Sequence, residues 1–371
     1  MMELRRVRHL SKRDRFWLTP RIVCLITASV FFALFVVVRW KSKRQDGDAP
    51  AAVGVETGGQ MLAGRRLPRV ALLIMTSPVD PSRRVERVKS IVDTWGNPVT
   101  LQNELNIHIV FEACEVELKH YPVVCPPGHI VGRTAKTLFL MRELFQRGIL
   151  FEYVVKADDL AYFFPRNLQT YLSVVSSGVN PLGSLFLAGN VLRNSPTGIT
   201  FVSAGAGVIM SRSLVDKCLA DPPRAFPDNE DLAIAFCAGT GVPATQAMTT
   251  DGFELFNVYG PVKSMQGRVD PWYENYKRYA AMKGAISNGV RTQGISPLSI
   301  VSFHYVEYAL QRFWHSLVTE YTDKWDATKV LDEFPKSGLG GYENKISSLE
   351  EAQELLDMAG AIRKELLAPP R

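Results

Sequence analysis

Three short apolar runs separated by helical stretches constrain this chain more than any other feature. They are Val70-Ala71-Leu72-Leu73-Ile74-Met75, Leu105 to Phe111, and Tyr153-Val154-Val155-Lys156. Runs this short, with β-branched residues, read as buried strands. After the first, Ser82 can cap a helix that carries Val85, Val88, Ile91 and Val92 on one face up to Trp95-Gly96. Before the third, Thr134 to Arg147 sets Leu138, Met141, Leu144 and Phe145 at helical spacing, and Gly148 stops it. Strand alternating with helix predicts an α/β fold around a mostly parallel sheet covered on both faces.

The third run ends on Asp158-Asp159. In open α/β sheets ligands gather at the carboxyl ends of the strands. Carboxylates there suit a divalent cation that carries a phosphorylated ligand; a solvated acidic turn is the plainer reading. Further on, Ser203-Ala204-Gly205-Ala206-Gly207 either makes a tight turn or lets the backbone pass close to something flat or charged, and Ser211 can cap the next helix. Pro227-Asp228-Asn229-Glu230-Asp231 opens a helix through Cys237. Acidic residues suit the first turn of any helix, and they could equally serve as a general base. Trp272 to Tyr279 is an aromatic segment that could stack on a sugar or simply pack. His304, one of six histidines, sits in the apolar Ser302-Phe303-His304-Tyr305-Val306; a core histidine is the commoner case and a ligand the alternative. Residues 347–366 read as a peripheral amphipathic helix, and no internal repeat is present.

The net charge of +6 is unevenly placed. Residues 1–44 hold 11 of the 43 basic residues and 2 of the 37 acidic ones, which leaves 32 basic against 35 acidic in the body. Nucleic-acid binding thereby loses its main support. Ile22 to Val38 is an uncharged run of 17 residues, at the low end of the membrane-spanning range, with a cleaved signal peptide as the competing reading. It ends on Arg39-Trp40-Lys41 without a small-residue cleavage site, which favours a retained anchor. The seven basic residues before it outnumber the four just after it, so the body is expected on the luminal side. The short span suits thinner early-secretory membranes.

Cys24 lies in that span, which leaves Cys114, Cys125, Cys218 and Cys237 in a compartment that permits disulfides. Cys114–Cys125 and Cys218–Cys237 would close the shortest loops; four buried thiols are the alternative. The expected organisation is a cytosolic tail (1–21), an anchor (22–38), a flexible stem (39–67), a luminal domain (68–310) and a helical extension (311–371).

From about residue 70 to 307 the chain resembles the animal core 1 β1,3-galactosyltransferases, which are Fringe-like, inverting enzymes of the Rossmann-like GT-A fold. Met75-Thr76-Ser77-Pro78 looks like the family's opening strand and turn, and Thr94-Trp95-Gly96 like the end of its first helix. Lys156-Ala157-Asp158-Asp159, with Tyr162, is similar to its Lys-Ala-Asp-Asp-Asp-Thr-Tyr motif. The loop at 203–207, Glu230-Asp231-Leu232-Ala233 with Cys237, the aromatic segment and Ser302 to Val306 follow in register.

The resemblance implies a UDP-sugar donor, galactose transferred in β1,3 linkage to a GalNAc-bearing peptide or glycoprotein, and Mn²⁺ as the cofactor, in a Golgi or ER membrane protein. A homodimer is left open. By position, Asp231, or else Glu230, is the catalytic base. Asp158, Asp159, Lys156, Thr76, Lys136, Gly205 and Ala206 contact the nucleotide; Trp272, Tyr273 and Tyr276 face the acceptor; His304 and Asp159 bind the metal. In two places the chain departs from the pattern. Leu160 and Ala161 stand where the family has its third Asp and the following Thr, and Ile295-Ser296 where it has paired cysteines. Since the family also contains a non-catalytic relative that chaperones the enzyme, Leu160 sets the inactive alternative beside the enzyme. Another UDP-sugar donor is the second alternative.

Overall fold

The computed structural model describes residues 61–62, 65–77, 81–194, 198–239, 242, 244–249, 255–257, 260–261, 290–292, 300–320, 324–335 and 345–367. By packing, the chain divides at Thr57, and all of these residues belong to the unit Gly58–Arg371. The expected anchor at 22–38, the acceptor-side residues Trp272, Tyr273 and Tyr276, and Ile295-Ser296 lie outside the described residues. Among the described residues no helix is long and apolar enough to cross a membrane.

After a short hairpin of Met61–Leu62 with Arg65–Arg66, the strands are β1 (Val70–Met75), β2 (Ile107–Glu112) and β3 (Val123–Val124). Next come β4 (Tyr153–Asp158), β5 (Tyr162–Phe163), β6 (Leu187–Gly189), β7 (Val191–Arg193), β8 (Thr200–Val202) and β9 (Val208–Ser211). The last are β10 (Thr245–Thr249), β11 (Phe256–Asn257), β12 (Val290–Thr292) and β13 (Ser302–Phe303). Eight of them form one sheet in the order β12-β10-β6-β9-β4-β1-β2-β3. Only β9 runs against its neighbours in that sheet. The expected α/β fold with a mostly parallel central sheet is what forms.

Strand pleating sorts the helices. Val70, Leu72 and Ile74 of β1 face one way, into a core shared with α1 (Arg84–Asp93), α2 (Pro98–Leu105), α4 (Pro165–Val175), α7 (Tyr308–Thr319), α8 (Ala327–Glu333) and α9 (Leu349–Leu367). Ala71, Leu73 and Met75 face the other way, toward α3 (Arg133–Gln146), α5 (Arg212–Ala220) and α6 (Glu230–Ala238). On β4, Tyr153, Val155 and Ala157 join the first core. Val154 joins the second, so Lys156 and Asp158 point to the side of α3 and α6.

Several local expectations hold. Gly148 ends α3 with a positive φ of 66°, and its amide donates to Phe145 O at 3.0 Å. The Ser211 side chain accepts from the Leu214 amide at the start of α5. Both local cysteine pairs are bonded: Cys114–Cys125 at a Cα separation of 4.6 Å, and Cys218–Cys237, joining α5 to α6, at 5.5 Å.

Other expectations shift. The N-cap position of α1 falls on Arg83, not Ser82. Leu105 closes α2, which Asn97 caps with Pro98 in the first turn, so the second strand begins at Ile107. Order also starts before the expected stem boundary: Met61–Leu62 pairs with Arg65–Arg66, and Leu67 is buried. The C-terminal helix is no peripheral addition, because Ala352, Leu355, Leu356, Ala359 and Ile362 sit in the first core beside Trp314 and Leu310. Residue 311, expected to begin a separate extension, lies inside α7.

Candidate functional site at the carboxyl edge of the sheet

The ends of β4, β1 and β2 meet the N-terminal turns of α3 and α6. Lys156 and Asp158 are two residues apart on β4 and therefore share a face. Lys156 Nζ donates to Asp158 Oδ1 at 2.9 Å and to Glu230 Oε1 at 2.8 Å. Arg133, the first residue of α3, donates through Nη2 to Asp158 Oδ1 at 2.7 Å and through Nε to Glu230 Oε1 at 2.7 Å. Two cations thus share the same two carboxylates. Burial alone would raise Asp158, but Lys156 and Arg133 outweigh it and hold its carboxyl well below the ordinary range. Glu230 is lowered for the same reason against the same burial.

Asp231 sits in the first turn of α6, which Asn229 caps through the Leu232 amide. Burial, and then the adjacent Glu230 carboxylate, push its carboxyl up to about 7, against Lys156 and a bond from the Ala204 backbone. A carboxyl raised into this range is partly ionised near neutral pH, and its carboxylate form can take a proton there, which is what a general base must do.

His304 follows β13, and its Nε2 lies 3.9 Å from Asp158 Oδ2. The ring stacks on Tyr305 at a centroid distance of 3.8 Å and lies against the backbone of Gly205, where any Cβ would overlap the imidazole. The flat object that the small-residue loop admits is this ring. Burial lowers His304 to about 4, so it is neutral at pH 7. Its Nε2 is buried without a hydrogen-bond partner among the described residues.

Asp159 turns away from this group. Its Oδ1 accepts from the Ser77 amide at 2.9 Å, and its Oδ2 lies 3.8 Å from Arg87 Nη1. Arg87, on α1, also bonds Glu307 at 3.1 Å. Asp159 therefore ties the end of β4 to α1 and α7, and the carboxylate beside His304 is Asp158. Burial raises Asp159 to about 7, although Arg87 and the Ser77 amide oppose it.

The remaining expected nucleotide contacts divide. Thr76 bonds Glu112 through its hydroxyl at 3.2 Å, and Lys136 Nζ reaches the same carboxylate at 2.7 Å, so both belong to the edge. Ala206 is buried in the first core, and its carbonyl accepts from the Ser302 hydroxyl. Sequence reasoning missed Glu112 and Arg133. The rule that singled out Asp158 would have found Glu112, another carboxylate at a strand end; nothing local marks Arg133.

A divalent cation of the expected kind takes about six nitrogen and oxygen ligands. Here His304 and Asp158 contribute one free atom each, while Asp158 Oδ1 is already held by two cations. Leu160 is buried and contributes no ligand. No group of three His, Cys, Asp or Glu among the described residues is placed to share an ion. This donor set does not fit a resident divalent cation.

No protein-family model and no curated protein matches the chain. Among solved structures it is similar to a glycosyltransferase involved in glycosylation of the major capsid of PBCV-1, at 8% identity and a TM-score of 0.31, over 67% of this chain and 100% of that one. It is also similar to the apo form of a glycosyltransferase of Streptococcus pneumoniae TIGR4, at 10% identity and a TM-score of 0.30, over 80% of this chain and 62% of that one. Mannose-1-phosphate geranyltransferase from Thermus thermophilus matches at 13% identity and a TM-score of 0.23, over 34% of this chain and 42% of that one. Scores of this size carry no argument about activity.

Proposed function

We propose that the chain is an inverting glycosyltransferase that moves a sugar from a UDP-sugar to an acceptor hydroxyl. The observation that carries this reading is the position of Asp231, a carboxyl raised to about 7 in the first turn of α6, beside a cluster of cations and carboxylates at the carboxyl edge of the sheet. Inversion requires a base on the face opposite the leaving group. Asp231 takes the acceptor proton as the new bond to the anomeric carbon forms and the bond to the diphosphate breaks. Thr76, Lys136 and Lys156 line or back the nucleotide side; Asp158 and Glu230 hold the cations there in place. Asp159 supports the edge from below.

Galactose as the donor sugar, β1,3 as the linkage and protein-linked GalNAc as the acceptor follow from the residue-level resemblance. The two disulfides fit a luminal body anchored in the Golgi or ER by residues 22–38. A second reading, a non-catalytic relative that binds or chaperones a glycosyltransferase, is favoured by one observation: Leu160 is buried where the family carries a carboxylate.

Release of UDP by the purified full-length chain, measured across a panel of UDP-sugars with GalNAc peptides, tests both. Release that needs both one UDP-sugar and the peptide supports the enzyme. UDP binding without release from any donor supports the second reading.

A further inference from the structure

The carboxyl edge carries two cations on a single helix turn. Arg133 and Lys136 stand three residues apart at the start of α3 and so project from one face. Arg133 reaches Asp158 at the end of β4, and Lys136 reaches Glu112 at the end of β2, each at 2.7 Å. β4 and β2 are the two neighbours of β1, so about 10 Å of sheet separates them. Between them lies the end of β1, where Met75 gives way to Thr76 and Ser77. Two long, flexible cationic side chains therefore flank the mouth of one strand.

Resting on the sugar-nucleotide reading above, we propose that Arg133 and Lys136 hold the diphosphate of the donor directly, in place of a divalent cation. The donor set at His304 and Asp158 does not fit such an ion, and Arg133 already stands against the carboxylate that would have to ligate it. Both cations can be reached: their side chains are 23% and 35% exposed, against 0% for Lys156. Buried Lys156 bonds the same oxygens of Asp158 and Glu230 that Arg133 bonds. Arg133 can therefore turn to an incoming anion without leaving those carboxylates unpaired. Neither its bond through Nε nor its bond through Nη2 uses Nη1, which remains for phosphate oxygen.

Guanidinium matches phosphate in a two-point geometry that an ammonium cannot reproduce. As the bond from the anomeric carbon to the diphosphate oxygen breaks, its electron pair stays on that oxygen. The developing negative charge then falls between Arg133 and Lys136. The acceptor oxygen forms the new bond to the anomeric carbon and its proton passes to Asp231, so charge and atoms balance without a metal.

Calorimetric titration of UDP into the full-length chain, in Mn²⁺ and in a chelator, tests the proposal. UDP is expected to bind equally well in both buffers. Arg133→Ala should weaken binding by about 10- to 100-fold in each, and Arg133→Lys should recover part of that loss. Thermal melting without UDP identifies a variant that fails to fold, and the native titration needs no variant at all. Binding that appears only with Mn²⁺ overturns the proposal and leaves the sugar-nucleotide reading standing. A folded Arg133→Ala that binds like the native chain overturns it as well. Absence of UDP binding in both buffers overturns the sugar-nucleotide reading, and this proposal with it.

Discussion

Asp158 and Asp159 are adjacent in the chain, yet their carboxyl groups enter different surroundings. Asp158 meets Lys156 and Arg133 at the open edge, and Asp159 meets Ser77 and Arg87 in the interior. The pleat sends Asp158 to the side of α3 and α6, and the turn after β4 sends Asp159 to the side of α1 and α7. Their substitutions should therefore separate. Asp159→Ala removes a buried partner from both Arg87 and the Ser77 amide and should cost about 3 kcal/mol. Asp158→Ala leaves Glu230 for both cations and admits water, so about 1 kcal/mol is expected. Chemical denaturation of the two variants measures this; equal losses would refute the division.

One part of the pH dependence of stability comes from Asp159. Its carboxyl, raised to about 7, keeps a proton that the unfolded chain has already released above the ordinary carboxylate range. Stability from this group is therefore full below that range and falls as pH rises through about 7. His304, lowered to about 4, acts in the opposite sense below its ordinary value of 6.5, and Asp231, also raised to about 7, acts in the same sense as Asp159, so the native curve mixes all three. The difference between native protein and Asp159→Asn isolates the carboxyl: the variant should lose less stability between about pH 5 and about pH 8. Parallel curves would exclude the assignment.

Turnover should depend on Asp231 in two ways. Asp231→Asn should reduce it by about 10² to 10⁴ while UDP binding is retained. In the native chain turnover should rise with pH through about 7 as the base ionises, and the residual activity of the variant should lack that inflection. A pH–rate profile of both proteins checks this. Near-normal turnover in the variant would move the role to Glu230.

Gly205 leaves room for the His304 ring, because a Cβ there would overlap it. Gly205→Ala should push the imidazole outward and cost about 1 to 3 kcal/mol. With less burial, the His304 midpoint should move from about 4 toward 6.5. NMR titration of the ring reads the shift directly, and an unchanged midpoint would show that the ring had not moved.

The Cys218–Cys237 bond closes a short loop between α5 and α6, the helix whose first turn holds Asp231. Cys237→Ala should cost about 3 kcal/mol in the chain-entropy model. Non-reducing peptide mapping of the native chain should recover the linked peptides, and free thiols at both positions would rule the bond out.

The strands were legible because their signal is local. A buried parallel strand must be apolar on both faces, so β1 and β4 appear as continuous apolar runs whatever surrounds them. The α3 and α5 boundaries carried their own stop and cap residues, Gly148 and Ser211. The carboxylates Asp158, Glu230 and Asp231 stood out as well, since acidic residues at strand ends and helix starts are visible one at a time. Partnership was not visible. Arg87 sits on a helix whose apolar positions are Val88, Ile91 and Val92, and nothing local in the sequence marks it for burial. It is fully buried because Glu307, 220 residues away, arrives beside it. Arg133 likewise becomes the counter-ion of Asp158, 25 residues on, and of Glu230, 97 residues on, only when α3 and α6 bring their first turns to one sheet edge. Which carboxylate faces His304, and whether cations or a metal ion stand against it, depends on pleat direction and helix placement. Those are properties of the packed sheet, and no stretch of the chain contains them by itself.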